Sequence, residues 1–352
     1  MAILSRLTSG IGKFGNELLG RWQAHWTTAA GYVDRYRRFA AAMKEADSTI
    51  ELHVCGAPIL WGQQWNETLI ANASPQLHSI TDHPLIGGDV PRSTEPMAVY
   101  RDFMYVPDVL ERRWAQLRDD MRGAGIQEPR LAITELQMFA HLGREADGKG
   151  AAQLTRDNLV NPGTLAEALY DTLIYHAAAR LQPFVEMVTH SATVNHGGGL
   201  RKERERVYAN PCYYAEQIFG EFAGAKPVRI ELHTAKEPAP MVLPDIKNAD
   251  GDHAFGTVDA LVALTSQGEL LLSVVHRGTT GPTSLVVQME SFATAAKAQI
   301  WTLAGPVPWA ANKLENPRAV EPVRSEAELR NGSVTLLLQP FSIVQARFSS
   351  KH

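Results

Sequence analysis

Two textures of apolar and polar positions divide the chain. Up to about residue 226, short apolar runs alternate with stretches whose apolar residues recur three and four apart. Beyond that point the runs are short, rich in Val, Ile and Leu, and separated by turn pairs. The first texture predicts βα units around a parallel sheet. Tyr32, Tyr36, Phe39 and Met43 fall on one face of a helix over about 32–44. Leu110, Trp114, Leu117 and Met121 mark a second helix, which Gly123 and Gly125 end, and Leu165, Leu169, Leu173 and Ala177 a third. Thr164 and Glu167 form a capping box ahead of the third. Strands are predicted over 50–55 (IELHVC), 77–83 (LHSITDH), 130–135 (RLAITE) and 184–190 (FVEMVTH), with 11–17 as a fifth. The stretch holding Trp61, Trp65 and Leu69 is less regular. A complete barrel needs eight such strands, so the count is short by three. In the second texture, VRIEL, ALVAL, ELLLSVV, TSLVVQM, VTLLL and SIVQARF are joined by turns that include Gln267-Gly268 and Asn331-Gly332. They predict an antiparallel β-sandwich.

Composition adds little to this picture but excludes several classes. At 352 residues the chain can hold two domains, and 45% hydrophobic with 20% charged residues is ordinary for a globular protein. A formal net charge of −4 gives no reason to expect nucleic acid or an anionic membrane as partner. No apolar stretch approaches the roughly 18 residues that a membrane span requires. Two cysteines, Cys55 and Cys212, make no disulfide framework, and Cys55 in its apolar run reads as a buried free thiol. MAILSRLTSG has only a three-residue apolar run before Arg6, which is not a signal peptide, and the compartment stays open.

The chemistry concentrates on two glutamates at strand ends. ITE places Glu135 at the C-terminal end of its strand, and GKFGNE places Glu17 likewise with Asn16 beside it. That end of the strands is where barrel enzymes keep their catalytic groups. Two carboxylates converging there are what retaining glycoside cleavage requires. A second Asn-Glu pair, Asn66-Glu67, lacks an apolar run before it and reads as a helix start.

GNELLGRWQAHW at 15–26 resembles the acid/base segment of the α-L-arabinofuranosidases of glycoside hydrolase family 51. The likeness continues in register through RYRRFAAAMKEADSTIELHVCGAP, SITDHP, ITELQ and TLAEALYDTLIYHAAARLQPFVEMVTHSATVN. In the second half FGTVDALVALTSQGELLLSVVHRG, AANKLENPRAVEPV and VTLLLQPFSIVQARF are similar to the family's C-terminal domain. The resemblance implies an incomplete (β/α)8 barrel (strands 4 to 8) over residues 1–226 and an antiparallel β-sandwich over 227–352. It implies Glu17 as acid/base and Glu135 as nucleophile, with Asn16, Trp22 and His83 binding substrate. Asn16 would hydrogen-bond the sugar 2-hydroxyl, His83 would orient Glu17 or a hydroxyl, and Trp22 would stack on the ring. As the acid, Glu17 must hold a proton before reaction, and a negative Glu135 nearby would raise its pKa. Glu186 is given a structural role only. Departures are Thr134 in place of an acidic residue, Leu136-Gln137 in place of Trp-Asn, and the charged loop HSATVNHGGGLRKERER. Only fourteen residues precede Gly15, where the family has further strands.

Other motifs carry less. GIGKFG matches GxGxxG but has too short an approach for a dinucleotide turn. HGGG at 196–199 has no GxSxG partner, and His190 and His196 lack zinc spacing. The mixed-sign run Arg201–Arg206 reads as a solvated loop, with contact to an acidic group on the substrate as the minority reading. The expected function is removal of terminal α-L-arabinofuranosyl residues from an arabinose-containing carbohydrate, with no metal or organic cofactor. The alternatives are a non-catalytic carbohydrate-binding or assembly remnant, and a sister glycosidase acting on xylosides or glucosides. Open barrel edges are expected to make the chain associate with itself.

Overall fold

The computed structural model describes residues 11–73, 77–143, 153–192, 194–197, 199–289, 292 and 295–350. MAILSRLTSG and Gly198 of the HGGG run lie outside the described residues. The first part of the chain runs β1 (Ile11–Phe14), α1 (Ala29–Ala46), β2 (Glu51–Val54), α2 (Gln63–Ala73), β3 (Ser79–Asp82) and β4 (Leu85–Val90). It continues with α3 (Pro96–Gly123), β5 (Arg130–Ile133), β6 (Gln137–Leu142), α4 (Leu165–Arg180) and β7 (Val185–Val188). Next come β8 (Leu200–Glu203), β9 (Arg206–Ala209) and α5 (Pro211–Phe219). Then follow β10 (Lys226–Val228), β11 (Lys236–Pro238), β12 (Ala254–Gly256), β13 (Val258–Leu264) and β14 (Leu270–His276). The last strands are β15 (Thr283–Gln288), β16 (Lys297–Ala304), β17 (Val323–Glu328), β18 (Ser333–Leu338) and β19 (Ser342–Phe348).

The chain forms two compact units that interleave in sequence. The first comprises Met1–Leu85, Leu110–Leu136 and Leu181–Thr189; the second holds the remainder. In the first unit, β1-β2-β3-β5-β7 pair in parallel in that order. The parallel order follows from helical connections after β1, β2 and β3. Thr28 caps α1 through its Oγ1, which accepts from the Gly31 N–H, and Tyr32, Val33, Tyr36 and Ala40 form its buried stripe. The Tyr32 hydroxyl donates to the Phe14 carbonyl at 2.7 Å and accepts from the Cys55 N–H at 2.7 Å. One side chain thereby ties the C-terminal ends of β1 and β2. Asn66 is no helix start: inside α2 it clamps Ala57 with two bonds, one accepted and one donated. The irregular stretch expected around Trp65 and Leu69 is helical from Gln63 on. α3 starts at Pro96, well before the periodic residues that marked it.

In the second unit, six antiparallel strands run β10-β13-β14-β19-β16-β17. Ala260, Val274, Ile300 and Ala346 on one face pack against Leu336 and Leu338 of β18, which pairs with β15. On the opposite face Leu261, Ala263 and Leu271 pack with Phe222 and Ala225. α4 is fixed to this face where His176 meets Asp259 at 2.6 Å and Ser273 at 2.8 Å. β14 is consequently buried on both sides, and its sequence LLLSVVH is apolar almost throughout rather than alternating. Asn331 and Gly332 both have positive φ (52° and 73°) in a two-residue turn closed by paired Arg330–Ser333 bonds. Two expectations change in detail. The Arg201–Arg206 run is the β8–β9 hairpin, not an irregular loop. Before α4, Thr164 Oγ1 donates to Asn161, and Glu167 accepts from the Gly163 N–H rather than that of Thr164.

Candidate active site

The C-terminal ends of β1, β3 and β5 bring five polar residues together within the first unit. β1 stops at Phe14 because Gly15 turns the chain with φ +83°, where an added Cβ would lie 2.5 Å from Leu18. Glu17 sits in the same turn with φ 49°, a left-handed conformation that costs a non-glycine residue about 1 kcal/mol or more. That backbone returns its side chain to the sheet. Glu17 Oε1 lies 3.0 Å from His83 Nδ1, and Oε2 accepts from the Trp22 indole N–H at 2.8 Å. His83 follows β3 and is buried. Its Nδ1 is also 3.6 Å from Glu135 Oε1, and its Nε2 is 2.9 Å from Thr134 Oγ1. Glu135 follows β5, whose end is pinned by the Thr134 N–H to Asp82 and by Thr189 to Ile133 and Thr134. Asn16 Nδ2 reaches Glu135 Oε1 at 3.4 Å. Oxygens of Glu17 and Glu135 and a ring nitrogen of His83 all lie within 4.8 Å of one another.

The five residues expected at the site, Asn16, Glu17, Trp22, His83 and Glu135, therefore gather here. Trp22 is 65% exposed and binds Glu17 through its N–H, which leaves the ring face open. The electrostatics of Glu17 reverse the expectation. The His83 hydrogen bond lowers its carboxyl, burial opposes this, and the Trp22 bond lowers it further, to about 2. The lowering bonds outweigh the raising effect expected from Glu135. Glu186 accepts from Ser79 Oγ at 2.8 Å and lies near His53 and Arg130, away from the pair.

Sequence reasoning missed Lys13. Its Nζ lies 2.8 Å from Asn16 Oδ1, 3.1 Å from His83 Nε2 and 3.2 Å from Thr134 Oγ1. Burial lowers the ammonium's pKa, while Cys55, Glu135 and Glu17 pull it up. Its only sequence signal is a charge inside a short strand, four residues before a glutamate. Glu17, His83 and Glu135 have the atom types of metal ligands, and Lys13 Nζ stands 3.1 Å from His83 Nε2 beside them. A second cluster of such atom types, Glu167, Asp171 and Cys212, is fully buried in the other unit.

Residues 147–342 match the α-L-arabinofuranosidase C-terminal domain family. The chain belongs to this family. Its fold is that of family 51 arabinofuranosidases. The enzyme from Xanthomonas axonopodis pv. citri superposes with a TM-score of 0.78 at 17% identity, over 97% of this chain and 66% of that one. The family 51 α-L-arabinofuranosidase of Bifidobacterium longum gives 0.76 at 20% identity, over 96% and 66%. A family 44 endoglucanase from Clostridium thermocellum gives 0.61 at 12%, over 97% and 66%. The chain thus spans just under two thirds of the chains it resembles. No curated protein matches it in sequence.

Proposed function

We propose that this chain carries the catalytic carboxylates of a retaining α-L-arabinofuranosidase, with Glu135 as nucleophile and Glu17 as acid/base. The observation that carries this reading is the approach of the two carboxylates to within 4.8 Å at the ends of β1 and β5. Retaining enzymes hold their pair about 5–5.5 Å apart, whereas inverting enzymes leave about 6.5–9.5 Å for a water. Glu135 would attack the anomeric carbon, forming a C–O bond as the glycosidic C–O bond breaks. The departing oxygen takes a proton from Glu17. Water then attacks the same carbon, gives its proton to Glu17 and releases Glu135. Asn16, beside Glu135, is placed for the 2-hydroxyl, and Trp22 and His83 complete the sugar site.

The five parallel strands are read as strands 4 to 8 of a (β/α)8 barrel within residues 1–226, with 227–352 as the sandwich domain. Among the described residues β1 and β7 are the edge strands of this sheet, and through such edges the chain would associate with itself.

A panel of aryl α-L-arabinofuranoside, β-xyloside and β-glucoside tests the reading. Turnover of the arabinofuranoside that Glu135→Ala abolishes is the expected result. Preference for a pyranoside would instead favour a sister glycosidase, in keeping with the endoglucanase fold match. One observation favours a second reading, a non-catalytic carbohydrate-binding remnant: Glu17 is held ionised, opposite to a waiting general acid. No turnover of any member, with arabinose still bound, would establish it.

A further inference from the structure

Lys13 stands behind the paired carboxylates and touches neither in a hydrogen bond, yet it heads both relays that reach them. An ammonium has three N–H donors and no lone pair, so each of its partners must accept. Lys13 Nζ has three acceptors within reach: Asn16 Oδ1 at 2.8 Å, His83 Nε2 at 3.1 Å and Thr134 Oγ1 at 3.2 Å. Because Nε2 must accept, the His83 proton is on Nδ1, where it donates to Glu17 Oε1 at 3.0 Å. Because Asn16 turns Oδ1 to the lysine, its NH2 faces Glu135 Oε1 at 3.4 Å. Thr134 accepts from Lys13 and can donate its own proton to Nε2 at 2.9 Å, consistent with the same arrangement. The ionised carboxylates, which can only accept, ask for the same orientations from the far ends, so what the ammonium adds is at Nε2: without it that nitrogen can carry a second proton and donate to Thr134 Oγ1.

We propose that Lys13 is a positioning residue at the head of two hydrogen-bond relays, Lys13–His83–Glu17 and Lys13–Asn16–Glu135, where it keeps Nε2 of His83 an acceptor and holds the Asn16 amide oxygen turned away from Glu135. The proposal deepens the glycosidase reading and rests on it only for its kinetic consequence. The titratable groups around His83 are Lys13 on β1, Glu17 in the following turn, Cys55 after β2, Asp82 on β3 and Glu135 after β5. Lys13 is the one cation among them.

The test is 15N-histidine NMR on the full chain, with the His83 signal identified among twelve histidines by its loss in His83→Gln. The wild type should show a neutral ring protonated on Nδ1 alone. Lys13→Met should protonate both nitrogens, with Nε2 then donating to Thr134, while Lys13→Arg, which also lacks an acceptor, should preserve the Nδ1–H form. Thr134→Val should preserve it too, and reports on the relay even if Lys13→Met does not fold. A wild-type ring protonated on Nε2 would overturn the proposal. So would a Lys13→Met ring that keeps the neutral Nδ1–H form, or a ring that changes in Thr134→Val. If the wild type hydrolyses the arabinofuranoside, Lys13→Met should lose about a hundredfold in kcat/KM through misplacement of both carboxylates. A wild type with the Nδ1–H ring but no turnover would uphold the relay and remove the glycosidase reading alone.

Discussion

At the scale of single residues, the site turns on how many donors Glu17 collects. His83 and Trp22 each hydrogen-bond its charged form, and together they outweigh burial and hold the carboxyl at about 2. A folded-state value below the ordinary 4.5 contributes stability above about pH 4.5 that is lost as pH falls through about 2. His83 has the larger effect, so His83→Ala should move the Glu17 carboxyl up further than Trp22→Phe does, as followed by carboxyl 13C titration. The reverse order would mean that the indole bond dominates. For catalysis, kcat/KM on a substrate with a poor leaving group should rise as pH falls through the acid range, because only then does the free enzyme carry the Glu17 proton. An activated aryl glycoside, which needs little protonation, should lack that rise. A plateau extending to neutral pH for both substrates would show that the proton reaches Glu17 by another route. The position of Glu17 was legible in Asn-Glu at a strand end; its charge state was not. That depends on a left-handed φ and on a histidine 66 residues away, neither of which leaves a local trace.

At the scale of elements, α4 and α5 carry a buried acidic cluster that periodicity cannot distinguish from core. α4 is nearly apolar all round, yet Glu167 and Asp171 on it are wholly buried. Burial raises Glu167 to about 7. Burial alone would lower His190, but Asp171, Glu216 and Glu167 together raise it to about 9. Both shifts act in one direction on stability. Glu167 contributes fully below about pH 4.5 and loses that contribution as pH rises to about 7; His190 contributes below about 6.5 and loses it as pH rises through about 9. The melting temperature should therefore fall from mildly acidic to alkaline pH. Glu167→Gln, which can still accept from Gly163, should flatten the fall below about 7 and move the one toward 9 to somewhat lower pH, since Asp171 and Glu216 still raise His190. An unchanged profile in the variant would remove Glu167 as its source. A second device joins α3 to the sheet of the same unit. Arg277, 3% exposed, pairs with both oxygens of Asp108 at 2.9 and 3.1 Å and donates to the Met104 and Gly256 carbonyls. Asp108→Ala leaves that cation buried without its counter-ion and should cost about 3 kcal/mol in denaturant unfolding. A loss under about 1 kcal/mol would mean that water screens the pair.

At the scale of the whole chain, the change of texture near residue 226 was legible because strand and helix periods differ, but packing does not respect it. β10 begins at Lys226, beside that change. The six-stranded sheet nevertheless buries two faces, and only one is covered from within residues 227–352. Leu261, Ala263 and Leu271 on the other face lie against Phe222 and Ala225, and Glu221 accepts from Gln345 and Arg347. The short strands of a sandwich lead one to expect a sheet with one wet face; the near-continuous apolar run of β14 was the signal of double burial. A fragment 227–352 would expose these side chains, at about 1.5–3 kcal/mol for each leucine, and take from Arg347 the nearer of its two acids, Glu221. A fragment 190–352 keeps α5, Glu221, Phe222 and Ala225, losing the contacts of α4 and those of α3, the Asp108–Arg277 pair among them. Thermal melting with an apolar dye should separate them. The longer fragment should melt cooperatively and bind little dye, and the shorter should bind dye below any transition. If 227–352 melts as sharply as 190–352, then the second face is not needed for folding, and the sandwich stands on its one core.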